Sequence, residues 1–403
     1  MTDLSDAELI TRFPAARTCP FHPQAEYARL QRDRPVARVS MPSGRDAVLI
    51  TRLEDVRAVL GDERLSADER KPGYPFLYEQ AFESPLAGTF MRADGEDHYR
   101  IRRMLSKDFT VKRAMSLRPE VEAIVRECLD DIERQGPPAD LVQKLAFPVP
   151  SLAICRLLGV PYEDRDVFET NTRAMINMKS SPEEVQAAMG AIMAYLDDLV
   201  GRKEQAPGDD LISRLVVEEL APGNLGRQEL VTICLILLVG GHETTATMIG
   251  LGLYALFEHP DQLALVRDDP FLWPAAVEEL LRHQTIVQAP TQRAVLEDVE
   301  VAGEVIRAGE GVLAVLTTAN RDPRAFPDPD RLDVTRNARG QVAFSFGPHQ
   351  CLGHALARME LEVVFRSLFE RFPTLRLAVP PAEVPLRPAS VNLFGIDGLP
   401  VTW

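Results

Sequence analysis

The chain has 403 residues, and its 45 basic and 60 acidic side chains leave a formal net charge of -15, which excludes a generally basic nucleic-acid binder. With 45% hydrophobic and 26% charged residues the composition is that of a globular protein, not a disordered or fibrous one, and its length suits either two or three domains or one large enzyme fold. The five cysteines, Cys19, Cys128, Cys155, Cys234 and Cys351, are scattered and never in CxxC spacing, so neither a disulfide framework nor a structural zinc site follows.

The amino terminus, MTDLSDAELITRF, lacks the basic start and apolar centre of a secretory signal. The longest uninterrupted apolar run, Ile233 to Val239, is far below the ~18 residues of a spanning helix. A cytoplasmic chain without a membrane anchor is expected. Neither an internal repeat nor a Gly/Ser linker divides the sequence, which predicts one continuous domain over residues 1–403.

Residues 35 to 60 begin with two β-prone runs, VARVSM and AVLIT, around the turn Pro42-Ser43-Gly44; LEDVRAVL then has helical spacing. A small sheet is expected there. From about residue 110 to 285 the pattern is helical, broken at Gln135-Gly136-Pro137-Pro138, Pro148 to Pro150, Gly159 to Pro161, Ala206-Pro207-Gly208 and Pro222-Gly223. Within it, Gln228 to Glu258 is apolar on every face, as in a buried helix, and its length would be roughly 46 Å at ~1.5 Å per residue. Gly240-Gly241-His242-Glu243-Thr244-Thr245 interrupts that helix with two glycines and a carboxylate where packing favours leucine. Glycine costs about 1 kcal/mol against alanine, and a buried unpaired carboxylate costs more, so the stretch is a functional candidate. Short strands such as VEVAG and GVLAVLT return between 290 and 335, and a further helix runs from about His354 to Phe372. The fold class is mainly α with minor β.

Ahead of that last helix stands FSFGPHQCLG, residues 344–353. A lone cysteine here is either a small buried hydrophobe or a thiolate favoured by helix N-terminal dipoles. The glycines permit tight turns and close backbone approach. Glu279-Leu280-Leu281-Arg282 puts a carboxylate and a guanidinium on one helix face, which alone would read as an exposed ion pair.

Together, FxxGxxxCxG and ExxR resemble the cysteine loop and the helix motif of the cytochrome P450 family, and the resemblance covers essentially the whole chain. It implies a single large, helix-rich P450 fold with small N-terminal and C-terminal sheets. It further implies haem b (iron protoporphyrin IX) as cofactor, with Cys351 as the thiolate ligand of the metal. Glu279, Arg282 and a downstream arginine, placed at Arg331, would be a structural trio beneath the haem. Gly240 to Thr245 matches the family's central-helix pattern, in which Glu243 and Thr244 would be catalytic as a proton relay. His98, Arg102, Arg293 and His349 match propionate contacts.

Substrate-lining positions by the same resemblance are Leu237, Gly240, Thr244, Val287, Ala289, Pro290 and Phe394, with the loop around Phe76 to Phe90 closing over the ligand. RIRRMLSKDFTVKR, residues 100–113, holds six basic residues and one acid, either a solvated face or a dock for an acidic ferredoxin. GxGxxG is absent, so electrons are expected from a separate ferredoxin and ferredoxin reductase. The activity implied is insertion of one oxygen atom from O2 into a C–H bond of a hydrophobic small molecule. LSADERKPGYPFL and SKDFT are similar to members that tailor secondary metabolites such as macrolides. Partners are thus the substrate, O2 and the redox proteins, with neither nucleic acid nor membrane. Two rivals remain: a nitric oxide reductase, which the acid-Thr pair at Glu243 and Thr244 disfavours, and a haem sensor without catalysis.

Overall fold

Short β-prone runs punctuated by glycine and proline become β1 (Val36–Ser40), β2 (Asp46–Ile50), β3 (Leu65–Ser66), β4 (Ala139–Asp140), β5 (Thr291–Val295), β6 (Val299–Val301), β7 (Glu304–Ile306), β8 (Gly311–Ala314), β9 (Arg376–Leu377) and β10 (Pro400–Thr402). The computed structural model describes residues 15, 17–41, 43–77, 88–164, 167, 170–171, 174, 181–387 and 392–403. The amino-terminal stretch, Pro42 of the first turn, positions 78–87 of the expected substrate loop and Val391 lie outside the described residues. The chain forms two compact units: Met1–Arg103, Gly250–His354 and Pro380–Asp397 make the first, and Met104–Ile249, Ala355–Val379 and Gly398–Trp403 the second.

In the first unit a five-stranded sheet has the order β1-β2-β8-β5-β3, with β2 and β8 parallel and the other pairs antiparallel. Successive side chains of a strand point to opposite faces. Accordingly Val48, Ile50, Val312 and Ala314 enter one core cluster, whereas Ala47, Leu49, Leu313 and Val315 enter another. β8 must begin with glycine, because a β-carbon at Gly311 would stand 2.7 Å from Pro75 Cβ and 2.8 Å from Gly73 O. Helix Trp273–Gln284 carries the ExxR residues and ends at Thr285, whose φ of 31° turns the chain toward β5.

The second unit is built on helices. Val111–Gln135 buries Ala114, Leu117, Val121, Val125, Leu129 and Ile132, the three-and-four spacing of one helical stripe; Thr110 caps it and Gly136 ends it. Pro182–Gln205 opens with a capping box between Ser181 and Glu184. The expected break at Pro148 to Pro150 proves instead to be the first turn of helix Pro148–Leu158, where proline's missing N–H costs nothing. β4-β10-β9 forms a small sheet that includes the carboxyl terminus.

Helix Arg227–Glu258 begins in the second unit, ends in the first and starts one residue earlier than its apolar pattern predicts. By length and composition it could cross a membrane, a property hidden when only uninterrupted apolar runs are counted. However, 56% of its apolar window is buried within the protein, as expected of a core helix.

Candidate functional site

Glu279 and Arg282 are both 0% exposed. Arg282 Nε donates to Glu279 Oε2 at 2.7 Å and Nη2 to Oε1 at 2.8 Å, while Nη1 donates to the carbonyls of Asn320 and Pro329, each at 2.8 Å. The pair is therefore buried and saturated, not the exposed one its spacing alone suggests. The third member differs from expectation: Arg336 Nε reaches Glu279 Oε1 at 3.2 Å, whereas Arg331 is exposed and joins this network through its backbone carbonyl, which accepts from Arg282 at 3.4 Å and from Arg336 at 3.3 Å. The physical reason is the turn at Asp328, φ 46°, after which Asp333 N also donates to Glu279 Oε1 at 3.0 Å and brings Arg336 inward.

This network continues to the cysteine. Asn320 Nδ2 donates to Thr285 Oγ1 at 2.9 Å, and its Oδ1 accepts from Val342 N at 2.7 Å. Val342 O in turn accepts from Ser345 N at 2.9 Å, and Cys351 N donates to Phe344 O at 2.9 Å. Ser345 and Gly347 both have positive φ, 62° and 73°, and a β-carbon at Gly347 would lie 2.4 Å from Leu60 O. The loop is over-determined by its neighbours, and it presents an exposed Cys351 three residues before helix His354–Arg371.

Beside this loop the first unit gathers the expected propionate residues. Arg102 Nη1 donates to Gln350 O at 2.8 Å; burial lowers its pKa while the nearby Cys351 raises it. His98 is buried with Nδ1 2.7 Å from Phe90 O and Nε2 3.0 Å from Pro348 O, so a propionate contact would have to replace one of these carbonyls. Its ring lies 4.0 Å, centroid to centroid, from that of His349, whose Nε2 is 3.5 Å from Asp94 Oδ1. Burial outweighs Asp94 and holds His349 down at about 4, hence neutral at pH 7. Asp94, also bonded to Ser66 and Ala67 N, went unnoticed in the sequence; its only signal is a place one helical turn ahead of His98.

Arg293 tests whether these residues fit an anionic cofactor edge. It is buried, Nη1 donates to Gln292 O at 2.8 Å, and Nη2 has no hydrogen-bond partner among the described residues. Burial lowers its pKa to about 10, so the group stays charged at neutral pH. An unmet, buried, cationic N–H is expensive, and a carboxylate is the acceptor that satisfies it. The set fits haem.

Glu243, Thr244, Leu237 and Gly240 lie in the second unit. Glu243 and Thr244 are half-buried, and Thr244 Oγ1 donates to Gly240 O at 2.7 Å. Leu237 is buried, Gly240 exposed, and neighbouring His242 packs against Phe147 with centroids 5.8 Å apart. In the first unit Val287 bridges Leu393, Ala289 packs against the sheet core, and Pro290 and Phe394 are buried. The basic stretch at 100–113 is less bare than its composition suggests, because Arg103 pairs with Glu96 and Lys107 with Glu218.

A helix-rich fold with an exposed cysteine on a glycine-containing loop before a helix is the arrangement expected of the class of haem-thiolate oxidoreductases. The family profile described as Cytochrome P450 matches residues 21–269 and 271–388. Cytochrome P450-SU2 of Streptomyces griseolus is 46% identical over 395 residues, 97% of this chain and 96% of that protein. Pentalenic acid synthase of Streptomyces avermitilis is 46% identical over 393 residues, 97% of each. The crystal structure of cytochrome P450 MoxA from Nonomuraea recticatena superposes with a TM-score of 0.92 at 47% identity, covering 97% of this chain and 98% of that one. The chain belongs to the cytochrome P450 family, whose enzymes are oxidoreductases with a haem cofactor.

Proposed function

We propose that this protein is a monooxygenase that inserts one oxygen atom from O2 into a C–H bond of a hydrophobic secondary metabolite, working in the cytoplasm as one catalytic domain. The observation that carries the reading is the cysteine loop: backbone hydrogen bonds and Asn320 tie the Cys351 loop to the buried Glu279–Arg282 pair, with a charged and unsatisfied Arg293 in the same unit. Bound haem would supply the oxygen activation, which protein side chains cannot perform unaided.

The chain's own residues do the rest. Cys351 donates thiolate charge, favoured by the adjoining helix start and by Arg102. Arg293, Arg102, His98 and His349 hold the carboxylate edge of the cofactor. Glu243 and Thr244 move protons, the hydroxyl of Thr244 being able to exchange its bond to Gly240 O for one to water. Val287, Ala289, Pro290 and Phe394 exclude water and orient the carbon to be oxidised. The relative named pentalenic acid synthase supports a secondary-metabolite substrate. Electrons come from a ferredoxin and its reductase; Lys112 and Arg113 are the docking charges we favour, since Arg103 and Lys107 already have carboxylate partners.

The test is a screen of natural products for a spin-state change in the Soret band, followed by ferredoxin-driven turnover. Thr244→Ala should then consume oxygen without forming a matching amount of product. Unchanged coupling removes Thr244 from the relay, and a protein that does not take up haem removes the reading as a whole.

A further inference from the structure

Residues 17–24 contribute nothing to the site described above, yet their polar groups converge on the strips of chain that carry the pocket candidates. Arg17 is 5% exposed. Its Nη1 donates to Gln284 O at 2.7 Å, its Nε to Cys19 O at 2.9 Å and its Nη2 to Pro20 O at 2.6 Å. Its Cζ lies 4.6 Å from the centroid of the Phe394 ring. Among the described residues these hydrogen-bond partners are all carbonyls. Burial, helped by Arg321, lowers the pKa to about 9, so the guanidinium keeps its charge at neutral pH.

A buried cation held by carbonyls and an aromatic face is a costly way to anchor a stretch of chain. It is suited to fixing planes, because guanidinium offers five donors in a rigid fork and stacks on rings. What it fixes is the pocket wall. Phe394 N donates to Ile286 O at 2.9 Å, Gln288 N to Asn392 O at 2.8 Å, and Val287 bridges Leu393. The strips 284–288 and 392–394 are thus laced together, and Arg17 touches both. Gln24 adds a second tie, its Nε2 donating to Gln288 Oε1 at 3.2 Å and its Oε1 accepting from Thr317 Oγ1 at 3.2 Å.

We infer that Arg17 is a positioning residue for substrate selection: its guanidinium sets the ring of Phe394 and the 284–288 turn, and through them the wall that a hydrophobic substrate meets. This rests on the haem-pocket reading proposed above.

The test uses full-length haem-loaded protein and two probes followed by the Soret shift. Imidazole needs only the iron, whereas 4-phenylimidazole also needs room against the wall. Arg17→Met should weaken 4-phenylimidazole about tenfold relative to imidazole, the scale of one misfitted pocket contact. In a Phe394→Leu background, the same substitution should change that ratio no further. Equal effects on both probes, or an undiminished Arg17→Met effect without Phe394, would make Arg17 a structural anchor only. Should Arg17→Met not fold, Arg17→Lys carries the same comparison, since it keeps charge and loses the planar fork; an unchanged ratio there overturns the inference. A wild-type protein giving no imidazole shift fails at the haem reading itself, a result distinct from a normal shift with unchanged discrimination.

Discussion

The cysteine loop and the centre of helix Arg227–Glu258 both depend on glycine, for opposite reasons. At Gly347 the neighbours are too close: φ is 73°, and a β-carbon would lie 2.4 Å from Leu60 O. At Gly240 a β-carbon would meet no heavy atom within 4 Å, so packing within the chain does not demand glycine there. The polar groups differ in the same way. Around the loop they pass from Arg282 through Asn320 and Val342 to Ser345 with each partner buried or backbone, whereas Thr244 merely returns its hydroxyl to Gly240 O. One region is fixed by what surrounds it. At Gly240 the other breaks helix rules without a packing reason, unlike Gly241, whose β-carbon would meet Ile154 at 3.1 Å; a glycine that packing does not demand is how a site reserved for chemistry differs from a scaffold.

The largest expected effect breaks the first region at its purpose. Cys351→Ala should abolish the thiolate signature of the reduced carbon monoxide complex; a retained signature would mean another ligand. Next comes the scaffold beneath it. Glu279→Ala leaves Arg282 as a buried charge without its carboxylate, and half-buried Arg336 without its partner, and should cost about 3–5 kcal/mol, read by denaturant unfolding. Arg336→Ala should destabilise more than Arg331→Ala, because only Arg336 bonds Glu279 through its side chain. Equal losses would return Arg331 to the trio.

The glycines sharpen the contrast directly. Gly347→Ala should destabilise by at least about 1–2 kcal/mol, the left-handed cost alone, before the clash with Leu60 is counted. Gly240→Ala should instead stabilise by about 1 kcal/mol, since helix propensity improves and nothing is struck. Thermal melts of both variants decide the matter. A destabilised Gly240→Ala would show that packing, not chemistry, keeps glycine there.

The legibility of these regions in the sequence follows the same physics. Helix Arg227–Glu258 could be read to within one residue because apolar character on all faces needs no partner to be recognised. The cysteine loop could be read because its glycines and cysteine are contiguous. Arg336 could not, since the turn at Asp328 decides which arginine of RLDVTR swings inward, and that turn is a tertiary outcome. Asp94 and Arg17 were hidden for a related reason: their partners, His349 for one and Gln284 and Phe394 for the other, lie more than 250 positions away. Local pattern names the residues that carry chemistry more readily than those that hold them.

A last comparison sets two buried carboxylates side by side. Glu279 is 0% exposed and answered by two arginines and Asp333 N; Glu360, on helix His354–Arg371, is 2% exposed, and its Oε2 has no hydrogen-bond partner among the described residues. Burial alone pushes Glu360 well above the usual carboxylate range. A carboxyl whose folded pKa is raised binds its proton more tightly in the native state. Its favourable contribution is therefore complete below about pH 4.5, the unfolded range, and declines as pH rises toward the folded pKa. Glu360→Gln removes that decline. The variant should match the wild type near pH 5 and exceed it near pH 8, in unfolding measured at both values. If instead the variant is weaker at pH 8, Glu360 is ionised and paired in the native protein, and the contrast with Glu279 is lost.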